Sequence, residues 1–230
     1  MAYLVALEGI DGSGKGTQAK RLHERLVAAG RKAALISFPR YDATLFGRAI
    51  GQFLNGRFGA LDQVSPFLVS LLYAGDRLES REFLREALAN NDVVVLDRYV
   101  PSNIAHQGAK LQGDERREVI EWIKQIEYSL YELPQADLVL LLDLPAAEAR
   151  KLIAQKSARS YTDRAADLQE SDTDYLEQVR QVYRAQAASD ATWRLIECFD
   201  GEHIRPVEEI GEEIWKLVAE RDSNRSAKNI

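Results

Sequence analysis

The chain is poor in the residues that staple or anchor a protein. It has a single cysteine, Cys198, among 230 residues, so an intrachain disulfide is excluded and a cysteine-built zinc site lacks ligands. It lacks a basic excess: 30 Lys and Arg against 36 Asp and Glu give a net charge of -6. That balance argues against a protein held to nucleic acid or an anionic membrane by overall charge. It leaves a small anion open, because a few arginines can reverse the sign inside a cleft. A long apolar run is missing too. Met1 to Leu7 is apolar but short, has no basic flank and meets Glu8 at once, so neither a signal peptide nor a membrane span is expected. No internal repeat is visible. With 46% hydrophobic and 29% charged residues, extended disorder is not expected either. A chain of up to about 250 residues can fold around one core, so a single soluble, cytoplasmic domain over 1–220 is expected, with a polar tail over 221–230.

Along the chain, short apolar runs alternate with helical patterns. Tyr3–Leu7, Ala33–Ser37, Val93–Leu96 and Leu138–Leu142 carry no polar alternation, as in strands covered on both faces. Trp193–Phe199 is a weaker fifth candidate. Helices are expected from Lys15 to a glycine cap at Gly30, over about 44–55, 62–90, 102–110, 114–132, 146–156 and 171–188, and from about Pro206. Strands separated by helices of this length need crossover connections. The fold class is therefore α/β, with helices on both faces of a five-stranded, mostly parallel sheet. The segment 157–170 has alternating charges and little apolar content. It reads either as a solvated loop or as a lid carrying Arg159 and Arg164.

Gly9-Ile10-Asp11-Gly12-Ser13-Gly14-Lys15 satisfies G-x-x-x-x-G-K, between a buried strand and a periodic helix. Glycines let successive backbone N–H groups converge on a phosphate, the helix adds its positive end, and the lysine reaches the outer phosphates. With this loop the architecture becomes the three-layer phosphate-loop NTPase fold. Gly16 stands where a serine or threonine usually ligates Mg²⁺, and Thr17 follows it. Asp97 ends the third strand, where it can serve a metal or cap a helix.

Glu8-Gly9-Ile10-Asp11-Gly12-Ser13-Gly14-Lys15, Phe38-Pro39-Arg40-Tyr41, Asp76-Arg77 and Asp97-Arg98-Tyr99-x-x-Ser102-Asn103-x-x-x-Gln107 occur in this order. Together they resemble the thymidylate kinase family over about residues 3–215. The resemblance implies transfer of a phosphoryl group from ATP, bound over Gly9–Thr17, to dTMP, with Mg²⁺ held by Asp97 and by Thr17 either directly or through water. An acceptor that is itself a phosphate needs no general base, but its approach to another anion needs arginines. The resemblance gives that task to Arg40 and Arg98, beside Phe38, Pro39 and Tyr41, and gives Asp11 the 3′-hydroxyl. It sets Arg77 on the thymine ring with Tyr73 stacked on it, Asn103 and Gln107 beside the base, Ser102 among the substrate-binding residues, and His106, where tyrosine is frequent, near the sugar. Gly12 lies where some relatives carry an arginine, and Arg159 or Arg164 would replace it on the transferring phosphoryl group. Homodimerisation is implied as well. Alternatives are another nucleoside monophosphate kinase, a deoxynucleoside kinase, or a non-catalytic nucleotide-binding regulator.

Overall fold

A computed structural model describes residues 2–61, 63–154, 169 and 172–228, without the side chains of 221–228. Its centre is one sheet of β1 (Tyr3–Glu8), β2 (Ala33–Ser37), β3 (Val93–Asp97), β4 (Leu138–Asp143) and β5 (Trp193–Glu197), in the order β2-β3-β1-β4-β5. Every strand pairing is parallel. The continuous apolar runs are the inner strands: β1 and β4 are buried along their whole length. β5 is an edge, and only Trp193 and Ile196 of its five residues are buried, which is why its sequence signal is mixed. Register aligns the carboxyl ends, pairing Leu7 with Asp97 and Asp97 with Ser37. Side chains that follow β1, β2 and β3 therefore emerge along one edge, where open parallel sheets hold ligands.

Among the described residues, nine α-helices cross between the strands or flank them. α1 (Lys15–Ala28) buries Ala19, Leu22 and Leu26. Beyond it the Arg31 N–H donates to Leu26 O at 3.0 Å and the Gly30 N–H to Val27 O at 2.9 Å, a closing pair made at a left-handed residue, Gly30 with φ 79°. α2 (Leu45–Leu54) starts at Thr44, whose hydroxyl accepts from the Gly47 N–H at 2.7 Å.

The single helix expected over 62–90 is two, α3 (Pro66–Glu79) and α4 (Arg81–Asn90). Pro66 pushes the residue before it out of helical geometry and fixes the start, and the buried Ser80 is the joint. α5 (Val100–Gly108) and α6 (Gly113–Lys124) follow, and α6 runs into a π-helical turn, Gln125–Leu130. α7 (Ala146–Ile153) and α8 (Thr173–Ser189) flank the undescribed segment. α9 (Val207–Lys228) extends through most of the expected tail; residues 221–228 contain neither glycine nor proline to end it. Among the described residues no helix is long and apolar enough to cross a membrane.

Candidate active site

The phosphate loop joins β1 to α1 at the exposed carboxyl edge. Gly14 caps α1 with φ 88°, a conformation that costs glycine nothing. Gly12 has φ 86°, and a Cβ there would stand 2.3 Å from the Ala149 carbonyl oxygen on α7. No side chain fits, so this loop cannot carry the arginine found at that place in some relatives. Lys15 is buried; its Nζ donates to Ile10 O at 3.1 Å and lies 3.5 Å from Asp11 Oδ1. Gly16 faces Asp97: a Cβ on it would sit 3.0 Å from Asp97 Oδ2. A serine or threonine would press on that carboxylate, which gives a steric reason for the missing hydroxyl residue. Asp97 Oδ1 is buried with no hydrogen-bond partner among the described residues. It is a buried carboxyl oxygen in want of a cation or donor, and Thr17 lines the same cavity.

Arg98, the next residue, takes the left-handed backbone conformation with φ 68°. For a residue with a long side chain this is strained, and it is held from several sides. The Arg98 N–H donates to Leu7 O at 3.1 Å and the Tyr99 N–H to Glu8 Oε1 at 2.7 Å. Glu8 is fully buried and also accepts from the hydroxyls of Ser102 at 2.6 Å and Tyr183 at 3.0 Å. Burial raises its pKa, against these donors and the Arg98 charge. So braced, the Arg98 guanidinium extends over the loop. Its Nη2 donates to Asp11 Oδ1 at 2.5 Å and its Nη1 to Ser102 Oγ at 3.1 Å. Burial works against its charge, but the Asp11 carboxylate together with the other acidic groups around it outweighs that and holds its pKa well above the ordinary value.

His106 closes this side. Its Nδ1 lies 3.1 Å from the Tyr175 hydroxyl, which donates to the His106 carbonyl at 3.0 Å. With that oxygen free to accept, the network assigns the ring proton to Nδ1 and leaves Nε2 toward Arg98 at 3.5 Å. Burial, with the Arg98 charge behind it, pushes the His106 pKa down to about 3. It is a neutral acceptor, not a cation.

The far wall is built by α3, α5 and the π-helical turn. Arg77 is a charge buried to 2% exposure, paired through its Nε and Nη2 with Glu127, itself fully buried. Burial opposes the Arg77 charge, and the Glu127 carboxylate more than restores it, so its pKa is raised. Asn103 Nδ2 donates to Glu127 Oε1 at 2.9 Å and to Ser70 O at 3.0 Å. Two acceptors on that nitrogen fix the amide orientation. Among the described residues, Asn103 Oδ1 then has no donor, and one turn later Gln107 Nε2 has no acceptor. An unmatched acceptor beside an unmatched donor suits a flat ring whose edge carries an N–H next to carbonyl oxygens.

One cavity of about 320 Å³ joins these walls. Lys15, Asp11, Gly14, Gly16, Thr17 and Asp97 line it on the loop side. Phe38, Pro39, Tyr41, Tyr73, Arg77, Arg98, Ser102, Asn103, His106 and Gln107 line it on the other. Arg40 is not brought in. Its backbone N–H donates to the buried Asp76, while its Nη1 donates to Ser80 Oγ at 3.2 Å and its guanidinium lies over the Phe83 ring at 4.2 Å. Arg159 and Arg164 lie outside the described residues; of the segment 157–170 only Gln169 is described, and it lines the cavity.

Sequence reasoning missed the supporting residues Glu127, Tyr175 and Tyr183, and used Glu8 and Asp76 only as motif positions. Glu127 carries no signal in the one-dimensional pattern, because a π-helical turn shifts which side chains face inward. Tyr175 and Tyr183 look like ordinary core positions of α8.

A glycine loop feeding a helix amino terminus, with arginine and aspartate at the neighbouring strand end of a parallel sheet, defines a phosphate-loop nucleotide-binding protein. The family model "Thymidylate kinase" matches residues 7–209. Thymidylate kinase of Mycobacterium tuberculosis is 33% identical over 185 residues, 80% of this chain and 86% of that one. The human thymidylate kinase is 36% identical over 148 residues, 64% of each chain. A probable thymidylate kinase of Pyrococcus abyssi is 34% identical over 218 residues, 94% and 95% of the two chains. In fold, the structure of thymidylate kinase from Candida albicans matches with a TM-score of 0.74, covering 96% of this chain and 92% of that one at 24% identity. The chain belongs to the thymidylate kinase family.

Proposed function

We propose that this chain is an ATP-dependent kinase that transfers the γ-phosphoryl group of ATP to dTMP, giving dTDP and ADP. The observation that carries the reading is the pair of unmatched polar atoms, Asn103 Oδ1 and Gln107 Nε2, in a cavity shared with the phosphate loop. Thymine offers an N–H for the first and a carbonyl oxygen for the second, with Arg77 a further donor and Tyr73 a stacking surface. Cytosine would meet each with the wrong partner at its N3 and amino group.

The donor phosphates lie over Gly9–Thr17, with Lys15 on the outermost ones. Asp97, whose Oδ1 has no donor, and Thr17 would hold Mg²⁺, which on binding neutralises charge on those phosphates. Arg98 faces the loop from the acceptor side and offsets the repulsion between the two anions as they align. Asp11 accepts the acceptor's 3′-hydroxyl and keeps Arg98 extended. Arg40 would have to leave Ser80 and Phe83 to join the phosphate. Residues 157–170 act as the lid of a single domain spanning 1–220, and Arg159 or Arg164 supplies the cation that the closed backbone at Gly12 denies to the loop.

The enzyme works as a cytoplasmic homodimer. Exposed large apolar side chains on α2, α3 and α6, including Leu45, Leu68, Leu78 and Trp122, support that association. α3 also carries Tyr73 and Arg77, so the shared surface backs onto the base wall.

Initial rates of ADP formation with dTMP, dUMP, AMP and thymidine, with and without Mg²⁺, test the proposal. Fast, Mg²⁺-dependent turnover with dTMP is expected, and little with AMP or thymidine. A preference for AMP or thymidine, or no turnover with any acceptor despite ATP binding, would refute it.

A further inference from the structure

Gln107 carries the weight of the pyrimidine reading only if its amide presents nitrogen to the cavity. An amide in an apolar pocket can turn end for end, exchanging a donor for an acceptor with no change of shape. On Asn103 the orientation is set by two acceptors. Gln107 has a different clamp. Lys110, three residues further on and just past the end of α5, donates from Nζ to Gln107 Oε1 at 3.0 Å. A lysine ammonium has only donors, so it pairs with the amide oxygen and repels the amide NH₂. Lys110 is itself confined: it is half-buried, and its Nζ lies 5.3 Å from the centre of the Phe53 ring, a fully buried side chain of α2. The aromatic face limits where the ammonium can go, while burial lowers the Lys110 pKa to about 8, so the group is a donor-only cation at neutral pH. Lys110 is not among the residues that line the cavity, so it acts on a bound base only through Gln107.

We infer that Lys110 is a specificity-positioning residue: by holding Gln107 Oε1 away from the cavity, it makes Gln107 a donor to the base and so favours a pyrimidine with a carbonyl at C4 over one with an amino group. The inference rests on the proposed base reading. In that reading dTMP presents acceptors to Arg77 and Gln107 and a donor to Asn103 Oδ1. Without Lys110 the Gln107 amide is free to turn, its oxygen can accept from an amino group, and one of the contacts that disfavours dCMP disappears.

Lys110→Met keeps the aliphatic stem over Phe53 and removes the donor; Lys110→Arg keeps a donor-only cation. The experiment measures kcat/KM with dTMP and with dCMP for the natural protein and both variants, with circular dichroism as a check on folding. One hydrogen-bond mismatch converts to a change of about tenfold. The dTMP-to-dCMP ratio is therefore expected to fall about tenfold in Lys110→Met and to return in Lys110→Arg. A Lys110→Met protein that loses both activities equally, or keeps the natural ratio, overturns the assignment. If the natural protein itself fails to prefer dTMP over dCMP, the base reading falls instead. Should Lys110→Met not fold, the same ratio measured on Lys110→Gln decides: its amide can meet Gln107 with an oxygen or a nitrogen, so the ratio is expected to fall, and a natural ratio refutes the inference.

Discussion

The two sides of the cleft are built in different ways. The phosphate side is mostly backbone: turns at positive φ, a helix amino terminus, and single polar atoms of Lys15 and Asp97 set against them. The base side is mostly side chain: an ion pair, Arg77 with Glu127, sunk in the interior, and two amides, Asn103 and Gln107, oriented by what stands behind them. A backbone cradle recognises any phosphate, since it reads only charge and shape. A wall of oriented amides recognises one edge of one ring, because a turned amide leaves buried polar atoms unmatched. Substitutions should therefore separate. Those on the base side should strike stability and selectivity together, and those at the polar side chains of the phosphate side should strike turnover.

The largest effect is expected at Glu127. Glu127→Ala leaves the Arg77 guanidinium buried without its counter-charge, at a cost of about 3–5 kcal/mol, read as a lower midpoint in urea or heat. A stability loss below about 1 kcal/mol, the size of an exposed ion pair, would mean that the pair is not the keystone of that wall. On the other side, Lys15→Ala should leave the melting curve nearly unmoved. Its turnover should drop by about a hundred- to a thousandfold, as when one preorganised donor to a developing charge is removed. The comparison breaks if the order is reversed, with Lys15→Ala unfolding the protein and Glu127→Ala only slowing it.

Gly12 tests where the loop meets the fold. Gly12→Ala must place a methyl group 2.3 Å from Ala149 O at φ 86°, and a cost of about 1–3 kcal/mol is expected from the strained backbone alone. Equal stability and turnover would show that α7 can move away, and that an arginine could be accommodated in this loop after all.

The last effect is confined to acid pH. Burial and the Arg98 charge hold the His106 pKa at about 3, below the unfolded value near 6.5. The unfolded chain then binds the proton first as pH falls. His106 contributes stability in full above about pH 6.5 and loses it progressively toward pH 3, by at most about 1.4 kcal/mol per pH unit. Between pH 6 and 4, His106→Gln should flatten the slope of stability against pH relative to the natural protein. Parallel slopes would mean that the imidazole is charged or solvated in the folded state.

This contrast also explains what the amino-acid pattern could disclose. The strands were legible because β1, β3 and β4 are covered on both faces and so read as unbroken apolar runs. The phosphate loop was legible because glycine is demanded at fixed positions by backbone geometry. Asp97 and Arg98 were legible because they follow a strand end, where the sheet must deliver its residues. Glu127 was not, since its inward orientation depends on a π-helical turn after α6. Nor was the parking of Arg40 on Ser80 and Phe83, because a rotamer is chosen by tertiary neighbours. The break at Ser80 between α3 and α4 escaped for a similar reason: helical periodicity continues through it while the backbone does not.

The most direct measurement is the ratio of kcat/KM for dTMP to that for dCMP in the natural protein, at saturating ATP and Mg²⁺. These acceptors carry the same phosphate and sugar, so the phosphate side is blind to the difference. Mismatches at both Asn103 and Gln107 should favour dTMP by about a hundredfold or more. Comparable rates for the two would contradict the assignment of α3, α5 and the π-helical turn as a base-reading wall.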